Sequence, residues 1–221
     1  MHADAPPSRE DFQRFFRNRL EQLQPTQELI WISDVVPTEA LAAGYPLGIF
    51  PWPGDDPDLF PWVCPRVRGV LCLDKFHLGK STRRQLRRAD FIVTMDTCFP
   101  EIIEACHRAH EPESWIHPQM REAYTLAWRQ GLAHSVEVRQ NGVLVGGLYG
   151  MDSGHFFSGE SMFHRVPNAG KAAIQYLVEH LKQRGDRLLD IQQLTPHMKA
   201  LGAENWPRRQ FFEELQVFPG N

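Results

Sequence analysis

Hydrophobic positions recur along this chain with two periods, and the switch between them marks out its elements. Met120, Ala123, Tyr124 and Ala127 repeat at helical spacing, which predicts a helix over 120–130 that Gly131 ends. From His134 the period shortens to two. His134 to Arg139 alternates, Asn141-Gly142 is a hairpin turn, Val143 to Tyr149 is a second strand, Asp152 to Gly154 turns again and His155 to Ser158 is a third strand. The helical period returns at Asn168, with Ala172, Ala173, Tyr176, Leu177 and Leu181 on one face and Gly185 as the stop. Arg187 to Ile191 then reads as a buried strand. Upstream, the pattern predicts helices over 9–24, 81–88 and 99–110 and strands over 69–73 and 91–95; short helices over 196–201 and 208–216 follow the last strand.

The order β-β-β-α-β from His134 to Ile191 resembles the core of the GNAT acyltransferase fold, an α+β architecture. Before it, Pro46, Pro51, Pro53, Pro57, Pro61 and Pro65 fix φ and remove backbone donors, so this stretch is expected to be irregular chain and not helix or central strand. The composition shift there predicts a small N-terminal domain, 1–65, ahead of a GNAT-like domain, 66–221.

Composition narrows the function classes. With 42% hydrophobic and 23% charged residues the chain can bury a core, and a net charge of −3 argues against a general polyanion binder. The distribution of charge is more informative. Lys80, Arg83, Arg84, Arg87 and Arg88 fall at i, i+3, i+4, i+7 and i+8, one basic stripe with no acid among them. A solvated face is the bland account, and docking of a polyanion the sharper one. No apolar run is long enough to span a bilayer and the first residues lack signal-peptide character, so a cytoplasmic location is expected; a monomer is expected too. Cys64, Cys72, Cys98 and Cys106 form no CxxC pair, which predicts buried free thiols and neither disulfide nor zinc.

Several chemistries fail on spacing. Gly79-Lys80-Ser81 lacks the leading glycine and strand of a P-loop, and Phe163 stands where a serine elbow needs its second glycine. His107 and His110 lie one turn apart with no HExxH pattern, so no metal site is expected. Val166 to Lys171 offers Gly170 alone, too little for the glycine-rich loop that cradles the pyrophosphate of acyl-CoA.

Other motifs hold together in register: Gly146-Gly147-Leu148-Tyr149-Gly150, Gly159-Glu160-Ser161-Met162-Phe163, Asn168-Ala169-Gly170-Lys171 and Leu189-Asp190-Ile191-Gln192. With Gly48-Ile49-Phe50-Pro51-Trp52, Ser114-Trp115-Ile116, Ala133-His134-Ser135-Val136-Glu137, Leu201-Gly202-Ala203 and Pro207-Arg208-Arg209, the chain resembles the leucyl/phenylalanyl-tRNA-protein transferase family over roughly residues 40 to 215. Departures stand at Gly79-Lys80-Ser81, Ser114, His164, Gly170 and the run from Phe60 to Pro65.

The resemblance implies transfer of Leu or Phe, with Met as a further donor, from aminoacyl-tRNA to the N-terminal Arg or Lys of acceptor proteins, marking them for N-degron proteolysis. A tRNA-dependent amide-forming enzyme of the same fold acting on a peptide or small-molecule acceptor is the alternative, and a non-catalytic RNA-binding module a third. An aminoacyl ester is already activated, so alignment, removal of a proton and stabilisation of an oxyanion suffice and no cofactor is expected. Asp190 and Gln192 should share one face of a strand, with Ile191 turned the other way into the core. The resemblance makes Gln192 the group that takes the amine proton and Asp190 the group that polarises it. Glu160, read as following a strand and preceding a turn, becomes a binding or catalytic carboxylate. Leu148, Phe157, Ile174, Leu177 and Leu189 match the side-chain pocket, although such residues are usually core. Trp52 and Trp115 match stacking positions for the 3′-adenosine, where plugging the domain junction is the other reading. The basic stripe matches the surface that follows the tRNA backbone.

Overall fold

The computed structural model describes residues 6–54, 56 and 58–217; Pro57 of the proline series and the first five residues lie outside it. By contacts the chain divides into two units, Met1–Arg66 with Pro207–Asn221, and Val67–Trp206. The segment after Trp206 therefore falls with the N-terminal unit.

In the first unit, α1 (Arg9–Glu21) begins with a capping box. Ser8 Oγ accepts from Asp11 N and the Asp11 carboxylate accepts from Ser8 N, so two otherwise orphaned donors are satisfied. Phe12, Phe16 and Leu20 form its buried stripe. Then come β1 (Leu29–Ser33), α2 (Thr38–Gly44), β2 (Phe50–Pro51) and β3 (Phe60–Val63). The three strands pair in the order β1-β3-β2, so the proline-rich stretch contributes the central strand of a sheet, contrary to expectation. Pro61 fits because it only has to accept there, its carbonyl taking the Trp52 N–H at 2.7 Å.

The second unit contains β4 (Val67–Cys72), α3 (Lys80–Leu86), β5 (Ile92–Met95), α4 (Phe99–Ala109), α5 (Pro118–Arg129), β6 (Ala133–Gln140), β7 (Val143–Asp152), β8 (Phe157–His164), α6 (Ala169–Arg184), β9 (Leu188–Gln192), α7 (Pro196–Lys199) and β10 (Glu204–Pro207); α8 (Arg208–Leu215) follows in the first unit. The expected core is present as β6-β7-β8-α6-β9, a GNAT-like α+β arrangement in which β9 pairs in parallel with β8. The sheet has seven strands in the order β10-β4-β9-β8-β7-β6-β5. Asn141 and Gly142 take φ of 51° and 78°, the left-handed pair that a tight hairpin requires. No strand was expected over 204–207. At the start of α6, Asn168 has φ 69° and its amide donates to Gln85 at 2.8 Å instead of capping the helix.

The third strand is longer than the sequence suggested. β8 continues through Gly159-Glu160-Ser161 to His164 because β7 offers a partner for most of its length. Glu160 therefore lies inside a strand and not at its exit. Tyr149 pairs with Ser161 and Gly150 with Gly159, leaving Glu160 as the extra residue of a β-bulge. Among the described residues no helix is long and apolar enough to cross a membrane. The four cysteines are free thiols, with Cys64, Cys98 and Cys106 buried and Cys72 partly so.

Candidate functional site

Two irregularities on neighbouring strands bring the candidate catalytic residues together. β8 and β9 pair at Phe157 with Leu189 and at Ser158 with Asp190. Just beyond, β8 bulges at Glu160. β9 bulges at Ile191, since Gly69 pairs with Gln192 while Val70 pairs with Asp190. Asp190 is wholly buried and Gln192 nearly so, with Ile191 half-buried against the core. Simple alternation stops at Gln192, whose φ is 54°. There the Gln193 N–H donates to the Ile191 carbonyl at 2.5 Å, a three-residue turn centred on Gln192. Gly69 permits this turn, because a Cβ on it would lie 2.7 Å from the Gln193 carbonyl carbon and the Leu194 nitrogen.

Left-handed backbone at a non-glycine residue costs about 1–3 kcal/mol and persists only where its surroundings determine it. Here the surroundings are a buried ion pair. Arg68, only 2% exposed, donates from Nε to Asp190 Oδ1 at 2.8 Å and from Nη2 to Oδ2 at 2.5 Å. Ser158 Oγ donates to Oδ2 at 2.9 Å, and Gln192 N–H donates to Oδ1 at 2.9 Å. Asp190 thus reaches Gln192 through the backbone. The side-chain amide of Gln192 goes elsewhere, with Nε2 donating to Glu160 Oε1 at 2.5 Å, and the Tyr124 hydroxyl donates to Glu160 Oε2 at 3.0 Å.

Sequence reading missed three members of this network: Arg68, Ser158 and Tyr124 as a hydrogen-bond donor. The available signal was Arg68, a charge inside an apolar strand, which must have a buried partner. Neighbouring groups are unsuited to ionic roles. Burial, with smaller contributions from Tyr124 and Glu160, holds the Tyr149 phenol well above its ordinary pKa. Burial also pushes the Cys106 thiol up to about 12, so no thiolate nucleophile forms beside the site.

The remaining candidates fall in different places. Leu148, Phe157, Ile174, Leu177 and Leu189 share one buried cluster contributed by β7, β8, α6 and β9. Trp52 is half-buried in the first unit and meets Phe50 edge-on at 5.8 Å. Trp115, also half-buried, lies between α4 and α5 in the second unit. Lys80, Arg83 and Arg84 are on α3, whereas Arg87 and Arg88 lie just past its end; all five are exposed. None forms an ion pair among the described residues.

The model of the leucyl/phenylalanyl-tRNA protein transferase family matches residues 70–216. A leucyl/phenylalanyl-tRNA–protein transferase of Novosphingobium aromaticivorans is 45% identical over 184 residues, covering 81% of this chain and 70% of that protein. One from Syntrophotalea carbinolica is 44% identical over 201 residues, covering 89% of this chain and 86% of that protein. Among solved structures, FemX is similar with a TM-score of 0.52 at 11% identity, over 93% of this chain and 79% of that one, a likeness of fold alone.

Proposed function

Because the chain belongs to the leucyl/phenylalanyl-tRNA protein transferase family, an aminoacyltransferase family acting from tRNA onto proteins, we propose that its donors are Leu and Phe, with Met as a further one, and its acceptors are proteins with N-terminal Arg or Lys, which it marks for N-degron proteolysis. The observation that carries the site assignment is the double hold on Gln192: its backbone N–H on Asp190 and its side-chain amide on Glu160.

That hold suits the reaction. The acceptor amine attacks the ester carbonyl, a C–N bond forms, the bond to the ribose oxygen breaks, and the amine proton passes to that departing oxygen, which leaves as the ribose hydroxyl of the tRNA. With Nε2 committed to Glu160, the amide oxygen of Gln192 is the end presented to an incoming amine. A carboxylate bound to the N–H₂ end enriches that oxygen in electron density. Glutamine is a poor base, so its role is to align the amine and stabilise positive charge as the bond forms. Glu160, bound by Gln192 and Tyr124, adds the negative charge that an approaching ammonium needs. The apolar cluster of Leu148, Phe157, Ile174, Leu177 and Leu189 has the chemistry to take a Leu or Phe side chain, since a branched aliphatic or phenyl group loses nothing on leaving water. Trp52 and Trp115 are assigned to stacking on the 3′-adenosine.

The test is incubation with radiolabelled leucyl-, phenylalanyl- and methionyl-tRNA and a protein bearing N-terminal Arg, Lys or Ala. Label on the α-amino group of the Arg and Lys proteins, from leucyl- and phenylalanyl-tRNA first, is the expected result. Label on none of them, with transfer to a free peptide or amine, would replace this reading with an enzyme for small acceptors.

A further inference from the structure

The buried pair of Arg68 and Asp190 lies behind the reacting groups, and its geometry sets what Asp190 can do. Charged side chains in the middle of a sheet are strongly disfavoured unless paired and fully hydrogen-bonded, and both residues are almost completely removed from solvent. An ionised carboxylate has about four acceptor positions. Four donors occupy them: Arg68 Nε and Nη2, Ser158 Oγ and Gln192 N. These donors come from β4, β8 and β9, so one carboxylate ties three adjacent strands together at the residue where β9 turns. The arginine fork fixes both oxygens at once, which a point-charge lysine could not do.

We propose that Arg68 is a positioning residue. Together with Ser158 it locks the Asp190 carboxylate so that this carboxylate holds the backbone of Gln192 in its left-handed turn and thereby aims the Gln192 amide at Glu160 and the acceptor amine. The inference rests on the assignment of Gln192 to the chemical step. Asp190, with its acceptor positions filled, works as an anchor and not as a proton carrier. A loosened anchor lets β9 relax toward ordinary extended backbone, which swings the Gln192 side chain away. A displacement of about 1 Å in an aligning group can cost about 100-fold in rate.

The experiment measures steady-state and single-turnover transfer from leucyl-tRNA, with thermal melts, for Arg68→Lys, Arg68→Met, Ser158→Ala and Gln192→Ala in the full chain. The positioning role predicts that kcat falls about 10- to 100-fold in Arg68→Lys and by less in Ser158→Ala, while KM for tRNA and acceptor stays within about twofold and both proteins are folded at the assay temperature. The Lys variant should retain more activity than Arg68→Met, because it keeps the charge and loses only the fork. Should both Arg68 variants fail to fold, Ser158→Ala decides alone, since it removes one hydrogen bond and no charge. Wild-type kcat per folded molecule in Ser158→Ala and in any folded Arg68 variant would overturn the proposal. If Gln192→Ala also turns over normally, the site assignment itself fails; if Gln192→Ala alone is impaired, only the positioning role does.

Discussion

Among the described residues two carboxylates are completely buried in the seven-stranded sheet, Asp190 on β9 and Glu137 on β6, and each accepts from four donors. Their surroundings differ. Glu137 is held by neutral groups only: Thr94 Oγ1 at 2.9 Å, Thr97 Oγ1 at 2.9 Å, Thr97 N at 3.3 Å and Ser135 Oγ at 2.6 Å. All of these belong to β5, β6 or the turn that leads to α4, so Glu137 staples one edge of the sheet to its next helix. Asp190 is paired with a guanidinium, and one of its donors is the backbone of Gln192, whose side chain leads on to Glu160 and Tyr124. Burial and full hydrogen bonding are thus common to both. On the proposed assignment of Asp190 to the site, what separates it from a scaffold carboxylate such as Glu137 is where its donors lead.

Apart from a change at Asp190 itself, the largest effect expected along its chain of hydrogen bonds is that of Glu160→Gln, which replaces the carboxylate beneath the Gln192 amide with a group that can face it donor to donor. Transfer should fall about 100-fold at unchanged stability, measured as kcat/KM for the acceptor. A normal rate would end the chain at Gln192. Next in size are Trp52→Ala and Trp115→Ala. Each should weaken an aminoacyl-adenosine analogue by about 1–3 kcal/mol in a binding titration if it stacks on the base. Unchanged affinity in folded protein would assign that tryptophan to packing.

A smaller effect is expected on the outer surface. Arg83 and Arg87 are exposed and without acidic partners among the described residues, so a double change to Ala should flatten the dependence of log tRNA affinity on log salt by about one to two units, equally for tRNAs of different sequence. Parallel lines would place the docking surface elsewhere. The smallest effect concerns β6, the strand of Glu137. His134 Nδ1 bonds Asp96 Oδ2 at 2.6 Å, and that bond, outweighing partial burial, raises the His134 pKa above its ordinary 6.5. A group whose folded pKa is raised stabilises fully below its unfolded pKa, and the stabilisation disappears as pH climbs through the folded value. His134→Gln should therefore lower Tm at pH 6 by a few degrees, the shift about 1 kcal/mol brings in a chain of this size, and by less at pH 9. Melts of wild type and variant at both pH values test this.

The meander and α6 were legible because their signals are local: a period of two interrupted by Asn141-Gly142, then a period of 3.6 ended by Gly185 at φ 94°. Features that depend on pairing across the chain were not. Pro61 lies in a central strand because its neighbour needs only its carbonyl, and Glu160 reads from the sequence as lying between a strand and a turn, whereas β7 draws the strand onward. Asp190, Gln192 and Glu160 could be named from family motifs, but their connections could not. Arg68 is 122 residues away from Asp190 along the chain, and no spacing rule reaches that far. Glu137 stands inside a matched motif too, and no spacing or burial pattern in the sequence, only the family resemblance, separates its role from that of Asp190.

The comparison is tested most directly by making the same isosteric change at both carboxylates, Asp190→Asn and Glu137→Gln, and measuring for each the single-turnover rate of leucyl transfer beside its thermal midpoint. The account predicts that Asp190→Asn loses about 100-fold or more in rate per folded molecule, whereas Glu137→Gln loses about 1–3 kcal/mol of stability and transfers leucine at the wild-type rate once folded. Equal rates for the two folded variants would contradict it.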